Sequence, residues 1–321
     1  MRREYIERVL SEYEYDEEEV CSVFGEKDFS GILDIIYSLP EAERSVIFSK
    51  EKKFRRFPVL KDEELNRKGL YIFRVVLAEA IYDREMTYNL HNDYIRSFYE
   101  DGMVIIPDFI KGKELKRIRK KFYRLIAEQP RDRFDNWKHS YLRLNKHHEE
   151  LFSFFNNPEL IDLVRMANGR DDFVFHDKRV ERLVHRDNDI QKQIHEDTFH
   201  PTIKFWFYLA PMTLEQGPTR YVKGSHRSIP GRLAWSQKLI IDAYKSSNKG
   251  TREGSFRASA KEIKAMGYRN SITAEAIDGN SLVIVNTRGF HARGIAKDGT
   301  VRDAMTGLFR MNPFWMCEED E

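Results

Sequence analysis

Gln193-Ile194-His195-Glu196-Asp197, set ahead of the apolar run Ile203 to Leu209, is the stretch on which the reading of this chain turns. On an extended backbone successive side chains point to opposite faces, so His195 and Asp197 share one side and Glu196 takes the other. Such a pair can converge on one ion, but His-x-Asp is common by chance and needs a third ligand. The candidate is His291, reached from the apolar strand Leu282 to Asn286 through Thr287-Arg288-Gly289-Phe290. Two imidazoles and one carboxylate suit ferrous iron, because three protein ligands leave coordination positions open. His195-Glu196 also begins like the His-Glu-x-x-His motif of zinc peptidases. The next histidine, His200, comes one residue too late to share a helical face, and Pro201 opposes a helix there.

Outward from this stretch the texture divides the chain. Residues 1–93 carry apolar positions at helical spacing, as in Val75, Ala78 and Ile81, with breaks at Asp28 to Gly31 and at Pro40. From Tyr94 a helix turns at Asp101-Gly102 into a short buried strand, Met103 to Pro107, and a second helix covers Lys111 to Ala127. After residue 170 the chain reads as strands: Phe173 to Phe175, Ile203 to Leu209, Thr219 to Val222, Leu282 to Asn286 and Met305 to Phe309. Helices first and strands later predict a mainly β core flanked by α-helices, with an N-terminal helical extension (1–93) packing on a β domain (94–321). The basic stretch 227–270, with Arg232, Lys238, Lys245, Arg252 and Arg257, reads as a loop-like insertion that either lids the site or forms a solvated surface.

Composition excludes several classes. The net charge of +2 gives no reason to expect nucleic acid as a partner, and no run is long and apolar enough to span a membrane. Cys21 and Cys317 are the two cysteines, too few for a disulfide framework, so a reduced, cytoplasmic compartment is expected.

Several segments, in order, resemble the phytanoyl-CoA dioxygenase family of Fe(II)/2-oxoglutarate-dependent oxygenases. They are Phe98 to Phe109, the His195-Glu196-Asp197 pair, Glu215 to His226 with its Gly-Pro and Gly-Ser-His elements, Asp278-Gly279-Asn280 before the strand to His291, and Arg302. The resemblance spans about residues 94 to 313. It implies a double-stranded β-helix, a cupin-like jelly-roll of two antiparallel sheets enclosing the metal. By position it assigns iron to His195, Asp197 and His291, the distal carboxylate of 2-oxoglutarate to Arg302, and a packing role against that cosubstrate to Trp206. It implies a turn-stabilising role for His226, whereas His185 and His200 read as packing or surface histidines. The chain departs from the family at Arg293, where many members carry a small hydroxyl residue, and at Lys223, where a proline is frequent.

The activity implied is a dioxygenase reaction: O2 is consumed, 2-oxoglutarate goes to succinate and CO2, and an unactivated carbon of a small-molecule substrate is hydroxylated. Desaturation, epoxidation and cyclisation are the alternatives within the same chemistry; a cupin-type binding protein or a metal hydrolase are the alternatives outside it. Asp197 argues against halogenation, which needs a small residue there. The basic insertion suggests an anionic or carrier-bound substrate. Iron +2, Asp197, a 2-oxoglutarate dianion and Arg302 sum to no net charge, as a partly buried site prefers.

Overall fold

The alternation within β4 (Ile203–Tyr208) sets the layering of the molecule. In the computed structural model, which describes residues 2–52, 56–130, 132–134, 140–172, 175, 177–242 and 254–315, Ile203, Phe205 and Phe207 point to one face and Lys204, Trp206 and Tyr208 to the other. β4 lies at the centre of a six-stranded antiparallel sheet. With β1 (Met103–Ile106), β2 (Tyr141–Arg143), β3 (Asp177–Val184), β6 (Ser281–Asn286) and β8 (Val301–Phe309), the order is β1-β6-β4-β8-β3-β2. The outward residues Val104, Ile106, Phe205, Phe207, Leu282, Ile284, Met305 and Phe309 form one core with the helices Asp93–Asp101, Gly112–Ala127 and Pro158–Asn168. Met103, Trp206, Tyr208, Val283, Val285 and Ala304 face inward.

A second, smaller sheet closes the other side. β5 (Arg220–Tyr221) pairs with β7 (His291–Ala292), and isolated bridges from His195 to Arg257 and His291, and from Tyr221 to Thr273, extend it. Two antiparallel sheets with helices on the outer face of the larger one make up the jelly-roll core that the sequence predicts. Gly102 closes the helix Asp93–Asp101 in the left-handed region (φ 80°), and a Cβ there would collide with Tyr221 and His226, so the turn into β1 requires glycine.

The helices between Arg3 and Met86 build a core of their own around Ile6, Leu33, Ile36, Phe73 and Leu77, into which Phe199, Leu233, Ile240, Phe256 and Phe314 also pack. No helix among the described residues is long and apolar enough to cross a membrane.

Three sequence expectations need correction. The strand expected at Phe173 to Phe175 lies partly outside the described residues; Phe175 is not in a strand, and β3 begins at Asp177. β3 escapes a hydrophobic reading because its inward positions Asp177, Arg179 and Glu181 are charged. The basic stretch 227–270 is not all loop: Pro230–Asp242 is a helix, and Ala260–Ala265 is a second, opened by a Ser259–Glu262 capping box. Lys245 and Arg252 lie outside the described residues, whereas Arg232 is buried rather than solvent-facing. Finally, the strand expected at Met305 to Phe309 starts earlier, at Val301, and so includes Arg302.

Buried ion pairs join the layers. Arg288, 1% exposed, pairs with Glu79 of the helix Leu70–Met86 at 3.0 Å and donates through Nε to the Phe199 carbonyl at 3.0 Å. Arg288→Met strands Glu79 without a cation and is expected to lower stability by about 3–5 kcal/mol, read as a fall in the urea midpoint. Arg124→Met, which opens the exposed pair with Glu128, should leave the midpoint nearly unchanged.

Candidate metal centre

Backbone pairing assembles the three sequence-predicted ligands. His195 N–H donates to the His291 carbonyl and His291 N–H to the His195 carbonyl, both at 2.9 Å, so the two imidazoles stand side by side with centroids 4.5 Å apart. Asp197 N–H donates to the Thr287 carbonyl at 2.9 Å, which holds the carboxylate opposite both rings. His195 Nε2 lies 3.8 Å and His291 Nε2 4.0 Å from Asp197 Oδ1, and one ligand atom from each residue falls within 4.8 Å of the others.

The opposite edge of each ring is committed. Nδ1 of His195 donates to the Gln193 carbonyl and Nδ1 of His291 to the Gly289 carbonyl, both at 2.8 Å. These bonds fix the tautomer with a lone pair on Nε2, the state that a metal ligand needs. Burial, then His291 beside it, pushes His195 down to about 3, and burial likewise lowers His291. Burial alone would raise Asp197, but the two histidines and Lys52 and Lys204 outweigh it and hold its carboxyl well below the usual range. Two neutral imidazoles and one carboxylate are therefore available across the ordinary pH range.

Glu196 points the other way, as the alternation requires. Its carboxylate pairs with Arg232, both side chains almost fully buried, and Arg232 also donates to the carbonyls of Ser225 and Arg288. On the same side of the chain Lys52 donates to the Asp197 carbonyl.

The triad opens into a cavity of about 470 Å³ lined by Arg179, Glu181, Lys204, Trp206, Thr219, Arg293 and Arg302 among others. Arg302, 3% exposed, donates from Nη2 to Glu181 at 2.8 Å and from Nη1 to Thr219 Oγ1 at 3.4 Å, while its Nε is buried without a partner among the described residues. Trp206 Nε1 is a second buried donor without one. Burial alone would raise Glu181, but Arg302, Lys204 and Arg293 hold it at about 2. Glu181 is thus the partner of Arg302, and Lys204 is a further cation in the same cavity.

The remaining histidines are placed by contact. His226 is buried and bonds through Nε2 to the Tyr99 carbonyl at 3.0 Å, tying the Gly-Ser-His turn to the helix before β1. His200 is buried against Pro201 and lies outside the group of possible ligands, which removes the zinc-peptidase motif. His185 packs inside, pushed down to about 4 by burial and by Arg302 and Arg293. Arg293 has its own counterion, Asp189, at 2.5 Å. Of the basic insertion, Arg257 reaches the site: it bridges to His195, and its Nε and Nη1 are buried without partners among the described residues. Sequence reasoning missed Glu181, Lys204, Arg179 and Thr219. The signal for the first and third was a two-residue alternation of charge along Asp177 to Glu181.

Comparison with known proteins gives a match of residues 98–254 to the family model described as phytanoyl-CoA dioxygenase (PhyH). Among solved structures, the chain is similar to the epimerase SnoN in complex with Fe3+, alpha ketoglutarate and nogalamycin RO (15% identity, TM-score 0.48, covering 73% of this chain and 84% of that one). It is also similar to HygX from Streptomyces hygroscopicus with nickel and 2-oxoglutarate (14%, 0.46, 68% and 86%). A third is EctD from S. alaskensis (13%, 0.47, 68% and 78%). No curated protein matches by sequence.

Asp197→Ala is expected to lose bound divalent metal, measured by elemental analysis after dialysis against iron(II) or nickel, whereas His200→Gln should keep it. His200 and His226, both pushed to about 3 by burial, stay neutral in the fold, whereas the unfolded chain protonates them below about 6.5. Their contribution to stability is thus complete above about 6.5 and declines as pH falls toward 3. Urea midpoints at a series of pH values should show that decline, and His200→Gln should make it shallower.

Proposed function

We propose, from the match of residues 98–254 to the phytanoyl-CoA dioxygenase family model, that the chain is an iron(II)- and 2-oxoglutarate-dependent oxygenase of that family that hydroxylates a small molecule at a centre formed by His195, Asp197 and His291. The observation that carries this reading is the convergence of three oriented ligand atoms on one cavity that also exposes a buried arginine with a spare donor.

The residues fit the groups that the family implies. His195, Asp197 and His291 would hold iron, a set that leaves positions for other ligands. Arg302 and Thr219 would take the distal carboxylate of 2-oxoglutarate, with Tyr208, whose hydroxyl lies 3.4 Å from Thr219 Oγ1, completing that end. An anion there supplies acceptors for the orphaned Arg302 Nε and Trp206 Nε1, whose burial unpaired is otherwise costly. When bound, iron and 2-oxoglutarate supply oxidative decarboxylation coupled to attack on an unactivated carbon.

The chain's own residues do the positioning. The carbonyls of Gln193 and Gly289 keep both imidazoles from rotating. Glu181 fixes one side of the Arg302 fork and leaves the rest toward the cavity. Trp206, nearly fully buried, walls the cavity against the apolar interior, and Tyr208 is buried next to it in that interior. Asp197 as a carboxylate fills the place that a halogenating site would leave for halide. Hydroxylation rather than desaturation, epoxidation or cyclisation then depends on which substrate atom is held over the triad.

Anaerobic titration of metal-free protein with iron(II) and then 2-oxoglutarate tests the reading. A weak visible charge-transfer band is expected in wild type, with 2-oxoglutarate affinity reduced by about tenfold or more in Arg302→Met, the equivalent of one charge-assisted hydrogen bond. Iron binding with no band and no calorimetric signal for 2-oxoglutarate would leave the metal site standing and remove the oxygenase.

A further inference from the structure

Among the described residues, one cation in the cavity, Lys204, has no carboxylate partner and another, Arg179, shares its carboxylate. Lys204, on the inward face of β4, has its Nζ 4.3 Å from the centroid of the Trp206 ring and no carboxylate within ion-pair distance among the described residues. Arg179, on the inward face of β3, sits across β8: Trp206, Thr306 and Arg179 form one row of the sheet, and Lys204, Leu308 and Asp177 the next. The Arg179 guanidinium lies over the Tyr141 ring at 4.1 Å, and its Nε is buried without a partner among the described residues. It does pair with Asp177, but Asp177 also accepts from Arg143 at 3.0 Å, so one carboxylate serves two guanidiniums.

The other cations in the cavity wall differ. Arg293 has Asp189 and Arg302 has Glu181. Burial lowers the Lys204 pKa, Glu181 and Asp197 oppose that, and the neighbouring charges of Arg179 and Arg302 add to it. Holding two such groups side by side in a partly desolvated cavity is unfavourable until an anion enters between them.

We propose that Lys204 and Arg179 form a second anion-binding point in the cavity, separate from Arg302, that takes a carboxylate, phosphate or sulfate group of the molecule to be oxidised. Position separates it from the cosubstrate end. Along the sheet Lys204 lies three two-residue rows from Arg302 but one row from Arg179, although all three side chains turn into one cavity. Arg179 also faces the edge strand β2, with Ser140 and Tyr141 beside it in the cavity wall. An anchor there, beside Asp197 and His291, would hold the substrate by its charged group and present a neutral carbon to the triad. That the bound molecule is oxidised rests on the oxygenase reading; the anion-binding point does not.

Sulfate, a weak metal ligand, is the probe. Calorimetric titration of sulfate into metal-free protein, and into protein saturated with nickel and 2-oxoglutarate, should give one weak site of similar affinity in both. Lys204→Met and Arg179→Met should each weaken it by about tenfold or more, the size of one charged hydrogen bond. Lys204→Arg should restore it, and Arg302→Met should leave it unchanged. Melting curves of each variant establish that it is folded, and Lys204→Gln serves in place of Lys204→Met if the latter is not. Sulfate that 2-oxoglutarate displaces, that requires Arg302, or that binds wild type and both β3 and β4 variants alike would overturn the proposal, as would no binding to wild type. The 2-oxoglutarate titration in the same samples reports separately on the oxygenase reading. If it fails while sulfate binds through Lys204 and Arg179, the anion point stands without the oxygenase.

Discussion

The two reciprocal hydrogen bonds between the backbones of His195 and His291 are the constraint on which the site depends. They are ordinary antiparallel pairing, yet they bring distant parts of the chain together and set two imidazoles on one face of a narrow sheet. Because a strand alternates, that single pairing also turns Asp197 to the same face and Glu196 to the opposite one. A slip of this segment by one residue would turn Glu196 toward the cavity and send His195 and Asp197 into the layer behind, leaving His291 alone. The flanking bridges, Ala258 N–H to the Ile194 carbonyl and Glu196 N–H to the Phe256 carbonyl, hold the register from the other edge.

What lies behind the pairing explains why a helical layer and a basic insertion are attached to a jelly-roll. The back of the segment that carries His195 and Asp197 has a buried carboxylate, Glu196, which must be paired. Arg232 from the helix Pro230–Asp242 does this and also caps the carbonyls of Ser225 and Arg288. Arg288 in turn meets Glu79 from the helix Leu70–Met86, whose neighbour in the fold, Lys52, reaches the Asp197 carbonyl. Replacing such a network by apolar groups can be neutral for stability, whereas breaking one member is not, so it acts mainly as a register device. The residues that looked from sequence like a positive lid are thus divided: Arg232 supports the strand of His195 and Asp197 from behind, and Arg257 pairs with His195 along the backbone.

How much of this was legible in the sequence follows from which physical signal each residue leaves. β4 and β6 are apolar on both faces or nearly so, and such strands announce themselves. The triad was legible because two of its members are two residues apart before β4 and the third follows β6. β3 was not, because an inward face lined with charge reads as a solvated segment unless the observer knows that it faces a cavity. Glu181 and Lys204 therefore went unseen even though both are charged groups of the cavity wall. The helix Pro230–Asp242 was hidden for a related reason: Arg232, Ser236 and Gln237 are buried polar positions on a helix whose apolar stripe is short.

Glu181 poses the sharpest question about this cavity, since it places a carboxylate beside the arginine proposed to bind another carboxylate. The geometry resolves it. A guanidinium has five N–H donors in a rigid plane, and Glu181 takes one edge through Nη2 while Thr219 contacts Nη1. A long side chain that would otherwise sample several rotamers is thereby held in one, and what it loses in net charge it gains in preorganisation. Lys204, in the same cavity, is disfavoured as a cation by burial and favoured by Glu181 and Asp197. Under the proposed reading a dianion entering this cavity meets a fixed fork instead of a mobile arginine, and the charges of Lys204 and Arg179 are left for a second negatively charged molecule.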